Sequence, residues 1–506
     1  MFLNKSVLSV SILAAALTLT LPAGAASEKQ AAKSVAQAAV APNFSAIAAQ
    51  DEIAKENWAY SIGIQAYVYG LPLAIFDRER VRRLNPKMLE RIKHLCPCAP
   101  INQIGHMNKL ATSQDQLPYT PNNDTVYSGV AVELKDEPLI FSAPDIEDRY
   151  WSVQITDTYF DNFLYLGSRA TDGKGGHHAF VGPDWQGELP DDVIVHRAPT
   201  NSILIAVRIG VLPDNPADLA VVNKLQHQFH TTSLSNWGSE EGFGKANAPQ
   251  MKRKTYSGEL AFYEKFADLL AENPPTADHA AALAPFKSIG IELGKPFDAQ
   301  SLDEATRRGM ARALKDGKEI MRWKVKYRGT AYPTRWNNLH EGSYGYHYIN
   351  RAEGALEGLI VHDREEAVYF STYEDGEARL LDASRNYRLH FDKDQLPPVE
   401  GKGFWSLTMY GTDFQLVDNA INRYAIGDRS KGLKYNPDGS LDVYVQHEPP
   451  KGHESNWLPT AAQGLFRINY RIYTPGPSAI NPDTLQQHLP PLKRIESQVV
   501  SGSYAG

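Results

Sequence analysis

Hydrophobic positions change their period several times along the chain, and each change marks an element. Ile62, Ala66, Tyr69 and Leu73 recur at helical spacing, which predicts a helix over roughly residues 52 to 70, ending near Gly70 and Pro72. From about residue 125 the period becomes two: Val126, Val130, Val132 and Leu134 share one face, while Tyr127, Ala131 and Glu133 share the other. Further strands are predicted at 150–157, where Trp151, Val153 and Ile155 alternate with Ser152, Gln154 and Thr156, and at 202–208. Helical spacing returns between about 215 and 330, with Leu260, Tyr263, Ala267 and Leu270 on one face and a capping-box signature at Ser301-Leu302-Asp303-Glu304. Pro274-Pro275 and Gly294-Lys295-Pro296 divide that stretch into three or four helices. After about 365 strands dominate again. The clearest has Phe466, Ile468, Tyr470 and Ile472 toward a core and Arg467, Asn469 and Arg471 on a face expected to be wet. Asn436-Pro437-Asp438-Gly439 has turn chemistry and leads into a strand at Leu441–Gln446. The order predicts an α+β fold: two β-rich, sandwich-like lobes at 51–212 and 361–506, joined by a central helical region at 213–360.

The first residues change the picture of where this fold works. Lys5, the apolar stretch Val7–Leu21 and the small residues Ala23-Gly24-Ala25-Ala26 have the order of a cleavable signal over residues 1–25, with cleavage expected near Ala25. An apolar stretch of about 15 residues is shorter than the roughly 20 of a spanning helix. Residues 26–50, rich in Ala, Ser, Gln and Lys, read as a flexible lead. A periplasmic or secreted protein, free of the membrane after cleavage, is expected. The formal charge of −7, from 52 basic and 59 acidic residues, is dispersed, and the basic run Arg78–Arg83 is interrupted by Glu79 on a predicted helix. Nucleic acid is therefore not an expected partner. Cys96 and Cys98 are the two cysteines; a disulfide between them would close a strained ring, and two thiols do not make a four-cysteine zinc site.

Several strings resemble a two-part bacterial family known as domains of unknown function 1254 and 1214. The first part is carried by Ala66-Tyr67-Val68-Tyr69-Gly70-Leu71-Pro72, Pro121-Asn122-Asn123-Asp124-Thr125-Val126-Tyr127-Ser128, Asp148-Arg149-Tyr150-Trp151 and Gly182-Pro183-Asp184-Trp185. The second is carried by Phe404-Trp405-Ser406-Leu407-Thr408-Met409-Tyr410, Asn422-Arg423-Tyr424, Ile426-Gly427-Asp428-Arg429, Leu433–Ser440 and Glu454-Ser455-Asn456-Trp457-Leu458-Pro459. The resemblance implies β-sandwich-like lobes joined by helices in an exported, often oligomeric protein. It implies no reaction.

Standard catalytic strings are missing from the sequence: there is no G-x-S-x-G elbow, no H-E-x-x-H and no phosphate loop. Candidate chemistry rests on polar residues near strand ends. Asn123, Asp124 and Tyr127 are either Asx-turn caps or pocket groups. Asp157 shares parity with Trp151, so its carboxylate is either ion-paired, with Arg149 or another arginine, or held as an acid or base. Arg423, Asp428 and Arg429 form a salt-bridge network or a carboxylate- or sugar-binding set. His106, His340, His347 and His390 are the candidate metal ligands, the last three being those of the hydrolase reading, although no pair has helical ligand spacing, and no metal site is assigned. Tyr344, Tyr346, His347 and Tyr348 beside Trp336 are either a stacking surface or ordinary filling.

These residues support an exported protein that binds, or binds and processes, a small polar molecule or glycan (a carbohydrate or organic acid) in a cleft between the lobes. Asp124, Asp157 and Asp428 are its catalytic candidates, and Asn123, Tyr127, Arg149, Arg423 and Arg429 its ligand-binding candidates. The rival readings are a non-catalytic surface or assembly protein, for which a homo-oligomer is the expected form, and a metal-dependent hydrolase. No cofactor is indicated.

Overall fold

The computed structural model describes residues 44–495 except 116, 118, 119, 214, 252, 253, 327, 328, 340 and 341. The expected signal, most of the lead and His340 lie outside the described residues. A boundary between two compact units falls at Ala54, and of the first unit only the helical residues 44–54 are described.

Helix α1 (Phe44–Arg83) runs well beyond the predicted end and contains Pro72. An interior proline costs about 3 kcal/mol through its missing N–H and its clash with the preceding turn. Leu71, Leu73, Ile75 and Phe76 follow on buried faces, and each such side chain returns about 1.5–3 kcal/mol. Burial therefore wins over the local break. By length and composition α1 would suit a membrane crossing, but 72% of its most apolar window is buried inside the protein. The basic run lies on its last turns, where Arg80 pairs with Asp77 at 2.9 Å and with Glu272 at 2.8 Å. A short helix α2 (Pro86–Ile92) follows.

The first lobe contains β1 (Gly105–Met107), β2 (Thr125–Glu133), β3 (Leu139–Ala143), β4 (Trp151–Asp157), β5 (Asn162–Gly167), β6 (Gly176–Val181), β7 (Ile194–Arg197), β8 (Ser202–Gly210) and β9 (His230–Ser233), with α3 (Pro216–Gln226) before the last strand. Among the described residues they form sheets of order β1-β2-β8-β4-β5 and β7-β6-β3-β9. The two sheets enclose one core that includes Val130, Trp151, Val153, Ile155, Ile205 and Val207 from the first and Leu139, Phe141 and Phe180 from the second. β9 lies within the stretch whose periodicity reads as helical; it pairs with β3 through His230–Ser233.

Helices α4 (Ala261–Glu272), α5 (Glu304–Lys326) and α6 (Tyr348–Glu357) pack with α1. The second lobe contains β10 (Thr330–Ala331), β11 (Asn337–Asn338), β12 (Ala367–Thr372), β13 (Asn386–Phe391), β14 (Val399–Gly411), β15 (Ala425–Gly427), β16 (Leu441–Gln446), β17 (Trp457–Pro459), β18 (Phe466–Pro475) and β19 (Leu492–Ile495). Their sheets, β10-β11-β12-β18-β14-β15 and β17-β16-β13-β19, again share a core, here with Val368, Leu407, Ile468, Tyr470 and Ile472 facing Leu389, Val443 and Leu458. The α+β class and the two sandwich-like β lobes are as the periodicity predicts.

The predicted faces of β18 are also as observed, but the polar face is not wet. Arg467, Asn469 and Arg471 are 1%, 3% and 5% exposed. Alternation distinguishes two environments without saying that the second is water. Here it is the first lobe: Tyr150 of that lobe packs on Phe404 and Tyr473 at centroid distances of 5.5 and 5.1 Å.

Candidate functional site

On β8 the residues Ile203, Ile205, Val207 and Ile209 enter the first-lobe core, so the pleat turns Leu204, Ala206 and Arg208 the other way. Antiparallel register places Tyr127 opposite Arg208 and Gly129 opposite Ala206 on β2. On β18 the same alternation sends Asn469, Arg471 and Tyr473 away from the second-lobe core, with Tyr369 of β12 opposite Arg471. The small pair Gly129 and Ala206 leaves room between these faces. A cavity of about 300 Å³ results, lined by Tyr127, Arg208, Tyr369, Asn469, Arg471 and Tyr473, with apolar wall from Leu95, Met107, Leu117, Leu204, Leu339, Leu359 and Phe370.

Two arginines dominate its electrostatics. Arg208 donates to Gln154 Oε1 at 2.7 Å and the Ile360 carbonyl at 3.3 Å, and lies 5.4 Å from the centre of the Tyr127 ring. Arg471 donates to Thr408 Oγ1 at 2.8 Å and Tyr410 Oη at 2.9 Å. Each is 5% exposed, and the acceptors are neutral. The nearest acids are engaged elsewhere: Glu366 accepts from Arg169 at 2.7 Å and Tyr150 at 2.8 Å, and Asp124 from Ser406 at 2.6 Å. Of the other buried arginines, Arg351 meets Asp161 at 3.0 Å and Arg80 meets Asp77 at 2.9 Å, whereas Arg467 donates to Asn469 Oδ1 at 3.0 Å and Tyr373 Oη at 2.7 Å. Burial pushes the Tyr369 and Tyr473 phenols above their ordinary range, so both are neutral hydroxyls beside the guanidiniums. Tyr473 Oη also accepts from Asn122 Nδ2.

Of the residues singled out in the sequence, Tyr127 lines this cavity, with Asn122, Thr125 and Ser128 from its string. Asn123, Asp124 and Arg429 gather at a smaller recess of about 30 Å³ along the lobe seam. There Asn123 donates to the Ala111 carbonyl at 2.6 Å, and Arg429 lies 3.7 Å from Asp124 and 3.3 Å from the centre of the Phe404 ring. Asp428 adjoins them, accepting the Trp405 N–H at 3.1 Å; burial pushes its carboxyl up to about 6. These groups join the lobes.

The others are dispersed. Arg149 does not meet Asp157: its Nη1 contacts both Asp218 oxygens, at 2.9 and 3.0 Å, tying the start of β4 to α3. Asp157 accepts the N–H groups of Tyr159 at 2.8 Å and Asp161 at 3.0 Å, closing an Asx turn at the end of β4. Burial, with the neighbouring Asp161 charge, pushes its carboxyl up to about 7. Arg423 donates to the carbonyls of Glu454 at 3.0 Å and Trp457 at 3.1 Å, holding a loop. Asp124, Arg149, Asp157, Arg423 and Asp428 therefore share no single concavity, because turn caps and loop ties satisfy most of them locally.

His390 is held by Asp442 at 2.7 Å and Asp392 at 3.2 Å, and His347 precedes α6 on the surface. Among the described residues no group of three or more His, Cys, Asp and Glu is arranged to hold a metal. His177 and His178 lie on β6. Trp336 sits in the second-lobe core, whereas Tyr348 packs against Arg351. Cys96 and Cys98 are disulfide-bonded, and Cys96 reaches the cavity wall.

Arg208 and Arg471 were not singled out by sequence reasoning. Their signal is an arginine at an interior strand position whose alternate neighbours form a core, which shows that the opposite face is polar but not that another sheet covers it.

Residues 101–233 match the family described as a protein of unknown function, DUF1254, and residues 366–477 match a second, DUF1214. Both parts of the resemblance carried by the motifs are thus present in the expected order. Among solved structures, a Vibrio parahaemolyticus protein, VPA0106, is similar at 24% identity with a TM-score of 0.65, covering 87% of this chain and 100% of its own. An uncharacterized Burkholderia cenocepacia protein aligns at 12% identity with a TM-score of 0.43, covering 86% of this chain and 99% of its own. The first likeness is one of fold. No curated protein matches the chain.

Proposed function

We propose that this chain binds a small organic acid in the cavity between its two β lobes, and that its N-terminal signal delivers it to the periplasm or beyond. One observation carries the binding reading: Arg208 and Arg471, on strands of different lobes, line the same cavity and are bonded to neutral acceptors. Taking an ion out of water costs several kcal/mol and is ordinarily offset by an opposite charge. Guanidinium forks match carboxylate geometry, and the neutral phenols of Tyr369 and Tyr473 add donors that a carboxylate accepts. An acid entering the cavity supplies the missing counter-charge. A neutral carbohydrate would leave both guanidiniums without a directly bonded carboxylate, so the acid is the better-supported half of the polar-ligand expectation.

Thermal melting with a panel of organic acids and neutral sugars tests the reading. An acid present at about 100 times its Kd stabilises the folded chain by about 2.7 kcal/mol. Arg208→Gln and Arg471→Gln should each remove that shift while the unliganded protein still melts cooperatively. Acid-induced shifts of unchanged size in both variants would place the ligand elsewhere.

A further inference from the structure

The cavity floor is ordered along β8, and that order bears on the ligand's carbon skeleton. Arg208 stands at one end, Ala206 with its partner Gly129 in the middle, and Leu204 at the other end. Four residues of strand separate the ends, about 13 Å. The middle is small and uncharged. Leu339 and Leu359 add further apolar wall, and Leu95, Met107 and Leu117 continue it beside Tyr410, the hydrogen-bond partner of Arg471.

Charge elsewhere in the lining is mixed, with acids outnumbering cations. Glu79, Glu353 and Glu357 are there with two cations, Arg83 and Lys109, the latter paired with Asp115. Glu79 is paired with Arg83 at 3.6 Å and Glu353 with Lys324 at 2.5 Å. A second carboxylate on the ligand would meet these acids, and cations already paired with carboxylates, rather than another open guanidinium. The volume, about 300 Å³, lies at the lower end of ligand pockets, roughly 300–1,000 Å³, which suits one ring or a medium-length chain.

From this we infer that the ligand is an amphipathic monocarboxylic acid, its carboxylate between Arg208 and Arg471 and its uncharged aliphatic or aromatic skeleton lying over Gly129 and Ala206 toward Leu204. The inference rests on the organic-acid reading above and narrows it.

Titration calorimetry on the secreted chain tests it with matched probes: octanoate against octanamide, phenylacetate against phenylacetamide, and the diacids suberate and succinate. At least one monoacid should bind with a Kd tenfold or more below that of its amide and of suberate. Ala206→Phe, which fills the middle of the cavity, should abolish that binding at unchanged melting cooperativity. The carboxylate–amide contrast needs no variant, so a misfolded Ala206→Phe protein does not spare the proposal. Amides binding as tightly as acids would overturn it. Suberate or succinate binding in preference to the monoacids, and lost in Ala206→Phe, would overturn the monoacid inference and leave the organic-acid reading standing. No binding by any of the acids would overturn both.

Discussion

At the level of single residues, Asp157 is an Asx-turn cap with a raised carboxyl and not the partner of Arg149. Its position on the core side of β4 is legible from parity with Trp151, and its burial follows. Its partners are not legible, because backbone N–H groups two and four residues on leave no mark in side-chain spacing. The folded carboxyl titrates at about 7, against about 3.9 in an unfolded chain. Between those values the folded state holds a proton that the unfolded state has released, so the stability owed to this group falls as pH rises from about 4 to about 7. Asp428, raised to about 6, acts with the same sign. Asp157→Asn keeps an oxygen to accept the two N–H bonds and removes the ionisation. The variant should lose less melting temperature than the parent between pH 5 and pH 8. An equal or steeper loss would show that Asp157 is ionised in the folded chain throughout that range.

Among the elements, the contact between α1 and α5 depends on glycines that hydrophobic periodicity passes over. A Cβ built on Gly309 would stand 2.3 Å from the Glu56 carbonyl and 2.9 Å from Ala59 Cβ and Tyr60 N, and one on Gly317 would stand 2.6 Å from the Tyr67 ring. In an open helix, Gly→Ala gains about 1 kcal/mol of propensity. At Gly309 the neighbours are backbone and a short side chain, so the added methyl forces the helices apart, an overpacking cost of about 1–3 kcal/mol. Overpacking should win: Gly309→Ala is expected to lower the urea midpoint at unchanged m-value. A raised midpoint would mean that the helices separate more easily than this packing allows. The same kind of tertiary burial carries α1 through Pro72. Periodicity locates the faces of an element, but where the element ends is decided by neighbours distant in sequence.

At the scale of the whole chain, the two lobes were legible as units and their relation was not. Strand alternation yields a core face and a polar face for each of β4, β8 and β18, and only the assembled fold shows that these polar faces bury each other. The 506 residues exceed the size of one hydrophobic core, and chains of that length ordinarily divide into separately folding domains. The seam argues for the opposite behaviour here. It is bridged by Tyr150 to Glu366 at 2.8 Å, Gln154 to the Val361 carbonyl at 2.7 Å, Ser406 to Asp124 at 2.6 Å and Tyr410 to the Pro121 carbonyl at 2.6 Å. The first, third and fourth join buried groups and the second a half-buried pair, all of the two β lobes or of the segments that flank them. Opening the seam would break those bonds and part the buried aromatic contacts of Tyr150 with Phe404 and Tyr473. Loss of either lobe would therefore destabilise the other, and the lobes should unfold in one transition. Calorimetry should give a single peak, with tryptophan fluorescence and far-ultraviolet dichroism reporting the same midpoint. An organic acid bound between Arg208 and Arg471 should move that whole peak upward, since it contacts both lobes at once; two separable peaks, or a ligand shift confined to one of them, would show that the lobes fold independently and that the seam is a weak interface.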